Sequence, residues 1–187
     1  MSKLLARITL HLAGWEIVGT KAADDKLVLV AAPHTSNWDL ICLLLIVRAQ
    51  GTKVSWLGKH TLFWWPLGPI LRWLGGVPIR RDRPEAVVEQ VVRAFDEAET
   101  LFLAITPEGT RRYTPYWKSG FYRIAKAAGV RIQLGFADYA QRRAGFGPAF
   151  MPSDDVRADM DKIRAFFADK VARHPDQVGE IRLRKEE

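Results

Sequence analysis

The chain has 187 residues, of which 48% are hydrophobic and 26% charged, with one cysteine and a net charge of +7. This composition fits a single folded domain with its own buried core, and it excludes extensive disorder and an intrachain disulfide framework. The excess of positive charge points to an anionic partner, whether nucleic acid, a membrane surface or a phosphorylated substrate.

Within residues 1–20, Leu4, Leu5, Ile8, Leu12 and Trp15 recur at helical spacing, with Lys3, Arg7 and His11 elsewhere on the wheel. They predict an amphipathic N-terminal helix, packed on the domain's own core in preference to lying on lipid. The run Lys26 to Ala32 reads as a buried strand, and Leu40 to Val47 as a helix that stops at Gly51. Between them, Ser36 is the expected helix cap, and Asp39 three residues later completes a capping-box pattern. His34 is left in the strand-to-helix turn. If the chain turns there, the Asp39 carboxylate can reach back to the imidazole, giving a base and its orienting acid.

Residues 53–58 read as a second strand. The segment 59–75 then concentrates three of the seven tryptophans, Trp64, Trp65 and Trp73, and is broken by Pro66 and Pro69. Two prolines so close predict two short helices with a bend, and tryptophan beside lysine and arginine suits a membrane interface. Residues 76–82 read as extended and deliver Arg80 and Arg81. A helix starting near Pro84 carries the stripe Val87, Val88, Val91, Val92, Phe95 and Ala98.

Leu101 to Thr106 is an expected buried strand that ends at the polar cluster Pro107 to Arg111. The aromatic, basic stretch 113–122 leads into a helix stopped by Gly129. Residues 130–137 read as a strand and 147–151 as an edge strand. Ser153 is expected to cap a terminal helix bearing Val156, Met160, Ile163, Phe167 and Val171, and the tail from His174 onward to be a solvated end. Strands alternating with helices predict an α/β fold, with a mixed, largely parallel sheet flanked by helices. Polar clusters then fall at the carboxyl ends of strands, where open α/β sheets bind their ligands.

Three clusters stand in order: His34 to Asp39, Gly76 to Arg81, and Glu108-Gly109-Thr110-Arg111. This set resembles the blocks of the glycerolipid, or lysophosphatidate, acyltransferase family: H-x-x-x-x-D, a glycine-to-arginine block, and E-G-T-R. Trp56 to Lys59, Pro66 to Gly68 and Trp117 to Gly120 are also similar, so the resemblance spans residues 26–138. It implies a glycerol-3-phosphate acyltransferase-like fold and transfer of a fatty acyl group from a thioester, acyl-CoA or acyl carrier protein, to a hydroxyl of a lysophospholipid or related glycerolipid. Beyond that co-substrate it implies no cofactor. His34 is then the general base, oriented by Asp39. Arg81 with Arg111 is assigned to the acceptor phosphate, with Arg80 as the alternative within the doublet. Glu108, Gly109 and Thr110 complete the substrate-binding block, the glutamate pairing with an arginine or an acceptor hydroxyl. The chain departs from the family pattern by placing Arg80 before Arg81, where an acidic residue is usual, and by lacking a proline in 130–137.

Other chemistries fit less well. Ser36 and Ser119 lack the G-x-S-x-G context of a serine hydrolase, Cys42 lies in an apolar helical pattern, and His11, His60 and His174 have no metal-ligand spacing. No nucleic-acid motif accompanies the tryptophans. No run reaches the roughly 20 apolar residues that span a bilayer, and the N-terminus lacks a signal-peptide pattern. The expectation is a cytoplasmic enzyme held peripherally on an anionic membrane at its inner face. Two readings remain beside it: an acceptor that is an amino-lipid or specialised metabolite, and a lipid- or phosphate-binding module without catalysis.

Overall fold

The computed structural model describes residues 2–80 and 84–186. A seven-stranded sheet forms the middle layer, with strands β1 (Glu16–Val18), β2 (Lys26–Ala31), β3 (Ser55–Lys59), β4 (Gly76–Ile79), β5 (Leu101–Ile105), β6 (Arg131–Asp138) and β7 (Arg143–Phe150). Their order across the sheet is β1-β7-β6-β2-β5-β3-β4, and every neighbouring pair is parallel except β6 with β7. The mixed, largely parallel α/β arrangement is the one expected from the alternation of strands and helices.

Six α-helices flank the sheet: α1 (Lys3–Leu12), α2 (Asn37–Ala49), α3 (Leu67–Trp73), α4 (Pro84–Glu97), α5 (Gly120–Ala127) and α6 (Val156–Phe167). β2 is buried on both faces, as a central parallel strand must be. Val28 and Val30 point into one core layer with Phe95, Phe121, Ile124, Met160 and Ile163, drawn from α4, α5 and α6. Leu27 and Leu29 point into the other, with Ala6, Leu10, Cys42 and Ile46 from α1 and α2. The strand's period of two thus divides the helices between the faces.

The segment between β3 and β4 forms a short 3-10 turn, His60–Leu62, and then α3, so there are two short helices as expected; Pro66 lies between them, and Pro69 sits in the first turn of α3. Trp64, Trp65 and Trp73 are all exposed, Trp65 at 82%.

Several expectations need correction. The stripe Leu4, Leu5, Ile8 and Leu12 does not pack on the core; it faces outward, Leu12 at 81% exposure. The inward positions of α1 are Ala6 and Leu10, one turn apart, because a small residue lets α1 approach α2 closely. The edge strand at 147–151 is the end of a longer strand, β7, and the edge is occupied by the three-residue β1, too short to show a period-two pattern. Asp155, not Ser153, caps α6 by accepting from the Ala158 N–H at 2.9 Å, and Val171 lies beyond the helix. The tail is not a solvated end. Leu183 is 3% exposed within the core, and the Trp117 N–H donates to the Arg182 carbonyl at 2.7 Å.

Truncating that anchor opens a cavity that the rigid sheet cannot close. Leu183→Ala should lower the unfolding free energy by about 2–4 kcal/mol, read from chemical denaturation midpoints, whereas a solvated tail would give no change.

Candidate active site

The central place of β2, beside β5, brings the first and third clusters together. His34 follows β2 through the cis peptide Ala32–Pro33, and Pro107 to Arg111 follows β5. α2 begins one residue after Ser36, whose hydroxyl accepts from the Trp38 N–H at 3.2 Å. In the reciprocal half of the capping box, Asp39 Oδ2 accepts from the Ser36 and Thr35 N–H groups, each at 2.8 Å. The same oxygen lies 3.2 Å from His34 Nδ1. Side chains five apart on a helix diverge, but the extended Ser36 backbone turns the chain between them, so the capping carboxylate lies against the imidazole.

The other Asp39 oxygen, Oδ1, accepts from the Tyr139 hydroxyl at 2.7 Å. Burial alone would push the Asp39 carboxyl up. The hydrogen bonds from His34, Tyr139, Ser36 and Thr35 outweigh it and hold the group below the ordinary carboxylate range. An ionised Asp39 fixes the proton of His34 on Nδ1 and leaves Nε2 as an acceptor. Cys42 sits nearby, where burial pushes its thiol up, away from nucleophilic use.

Glu108 is buried, and its partner is not an arginine. Its Oε1 accepts from the His34 main-chain N–H at 3.0 Å, while Oε2 has no hydrogen-bond partner among the described residues. Burial pushes this carboxyl up to about 7. Gly109 has a φ of +64°, and a Cβ there would stand 2.6 Å from Lys118 Nζ, so the glycine lets the lysine lie on the loop. Arg111 donates to the Asn37 side chain at the start of α2, linking the third cluster to the first.

His34, Asp39, Gly109, Thr110 and Arg111 line one cleft of about 1230 Å³. Its polar end lies at the strand termini, and apolar walls come from Leu57, Val87, Val88, Ile105, Phe121 and Ile124. Arg80 is exposed and is not part of this lining, although Ile79 before it is. β4 is the edge strand, three positions from β2, which at about 4.8 Å per strand sets the two loops roughly 14 Å apart. Arg81 lies outside the described residues.

Sequence reasoning missed Tyr139, Lys118, Arg173 and Gln177. Tyr139 directly follows β6, the other neighbour of β2, and that adjacency is the signal that could have found it. Arg173 stands over the rings of Trp38 and Tyr139 at 5.5 and 5.8 Å, and the Gln177 amide donates to the Thr35 and Arg111 carbonyls. Arg173 lies between α6 and the tail and Gln177 within the tail, and neither had a signal of its own.

An imidazole set against a part-buried carboxylate, at the polar mouth of an apolar cleft, is an arrangement that suits acyl chemistry. The model of the Acyltransferase family matches residues 15–133, and the chain belongs to that family. Among solved structures, it is similar to the 1-acyl-sn-glycerophosphate acyltransferase PlsC from Thermotoga maritima. The TM-score is 0.58 at 15% identity, over 91% of this chain and 80% of that one. The likeness establishes the shared fold. No curated protein matches the chain.

The raised Glu108 pKa makes stability depend on pH. The folded protein holds this proton between about 4.5 and about 7 while the unfolded chain releases it, so the contribution is full below 4.5 and is lost as pH rises through 7. Glu108→Gln keeps the acceptor for His34 and removes the ionisation. Over that window wild type should lose on the order of 3 kcal/mol relative to the variant, read from denaturation at successive pH values.

Proposed function

We propose that the protein transfers a fatty acyl group from a thioester donor, acyl-CoA or acyl carrier protein, to a hydroxyl of a lysophospholipid or related glycerolipid. The observation that carries this reading is the 3.2 Å contact between His34 Nδ1 and the occupied Asp39 carboxylate at the mouth of the apolar cleft. Nε2 takes the proton of the acceptor hydroxyl as its oxygen attacks the thioester carbonyl. The C–O bond forms, the C–S bond breaks, and the proton passes to the departing thiolate. No covalent acyl-enzyme is needed. Arg111 suits the acceptor phosphate, the exposed Arg80 is a second candidate for it, Arg81 is a third on the family pattern alone, and Gly109 and Thr110 contact the same substrate. Glu108 acts through the backbone of His34. The name of the structural relative, a 1-acyl-sn-glycerophosphate acyltransferase, agrees with this choice of acceptor.

His34→Ala or Asp39→Asn should cut thiol release from acyl-CoA, with lysophospholipid acceptors, by about 10²–10⁴-fold while circular dichroism is unchanged. Full turnover by folded His34→Ala protein would refute the assignment.

The same proposal sets the protein on an anionic membrane, at the cytoplasmic face. No helix among the described residues is long and apolar enough to cross a bilayer. The outward apolar face of α1 and the exposed tryptophans before and within α3, each with cations beside them, suit a peripheral contact. Trp64→Ser with Trp65→Ser should reduce flotation with anionic liposomes severalfold; equal flotation would remove that segment from the contact.

A further inference from the structure

The segment 171–186 lies beyond the region matched to the family, 15–133, yet it touches the loops after β2, β5 and β6. The Tyr139 N–H donates to the Val171 carbonyl at 2.9 Å, and Arg173 lies over Tyr139, the residue that holds Asp39. The His174 N–H donates to Thr35 Oγ1 at 3.2 Å, next to His34. Gln177 bridges the first and third clusters. Gly179 runs so close to Thr114 that a Cβ would fall 1.7 Å from its carbonyl oxygen. Leu183 then enters the core, and Glu186 fixes the end through Arg164 at 3.0 Å and the Leu183 N–H at 2.8 Å. The segment is a strap over the strand ends.

This strap brings Arg184, which stands over the Tyr116 ring at 5.8 Å, and Lys185 into the lining of the cleft that Lys118 and Arg123 also line. None of the four cations forms an ion pair among the described residues. The nearby acids are engaged elsewhere, Glu180 with Arg182 and Glu186 with Arg164. Asp39 is the only carboxylate among the described lining residues, and its oxygens are already occupied. These four, with Lys59 and Arg111 also in the lining, leave a positive field that an anionic ligand relieves. A single acceptor phosphate is already served by Arg111, and it does not need four more cations.

We infer that the strap, through Arg184 and Lys185 with Lys118 and Arg123, binds the phosphate groups of a nucleotide-bearing thioester donor, acyl-CoA. This rests on the acyl-transfer reading and deepens it. The donor's diphosphate and ribose phosphate supply several anionic groups, and guanidinium and ammonium groups bind them by charge-assisted hydrogen bonds. The acyl chain then extends from the cationic side into the apolar cleft, passing its thioester before His34.

The test compares wild type with Arg184→Ala/Lys185→Ala. Both side chains are exposed, so thermal unfolding should coincide. KM for acyl-CoA should rise about tenfold, with KM for the lysophospholipid and KM for the same acyl group on phosphate-free pantetheine changing little. Adenosine 3′,5′-bisphosphate should compete with acyl-CoA and bind the variant about tenfold more weakly by calorimetry. An unchanged KM for acyl-CoA, an equal rise with acyl-pantetheine, or a rise confined to the acceptor would overturn the assignment. So would an effect seen with acyl carrier protein thioesters alone. If wild type releases no thiol from any donor, the activity reading fails separately. Calorimetry then still decides the strap: tighter binding of the bisphosphate by wild type upholds it, and equal or absent binding refutes it.

Discussion

The Asp39 carboxylate is the point on which the site depends. It accepts from two backbone N–H groups at the start of α2, from Tyr139 and from His34, so one residue closes a helix end, orients the His34 imidazole and ties in β6. A buried carboxylate is tolerable only when its oxygens are satisfied in this way. Its position on the first helical turn also sets the negative charge against the positive end of the helix. Structure and chemistry therefore share the same hydrogen bonds.

Around it, the sheet order decides which residues meet. β2 lies between β5 and β6, so His34, Glu108 to Arg111 and Tyr139 converge from three adjacent strand ends. β4 is at the edge, and Arg80 stays on the rim. Glu108 strengthens the convergence by holding the His34 backbone rather than its ring or an arginine. Burial, with the second oxygen lacking a partner among the described residues, explains why the carboxyl retains its proton toward neutral pH.

Local chemistry was legible in the sequence wherever neighbouring residues act on each other. Ser36 and Asp39 gave both the cap and the His34–Asp39 pair, and Pro66 marked the break before α3. Contacts made across the fold left no such trace. Tyr139 reaches Asp39 over a separation of 100 residues, and its role follows only from β6 lying beside β2. The apolar stripe of α1 looked like a core face, yet Ala6 and Leu10 do the packing, because periodicity reports a face without saying what covers it. The polar tail looked solvated because one leucine among charges, Leu183, carries its anchorage.

The strap also imposes a timetable. His34, Asp39 and the E-G-T-R loop all precede residue 112, while the segment that lies over them begins only at residue 171. During synthesis from the N-terminus, the sheet can gather these groups before the chain that spans them has emerged. Until then Thr35 Oγ1 lacks the His174 N–H, and the cleft lacks Arg184 and Lys185. A polypeptide that does not yet extend past residue 171 would hold His34 against Asp39 and still lack one wall of the cleft.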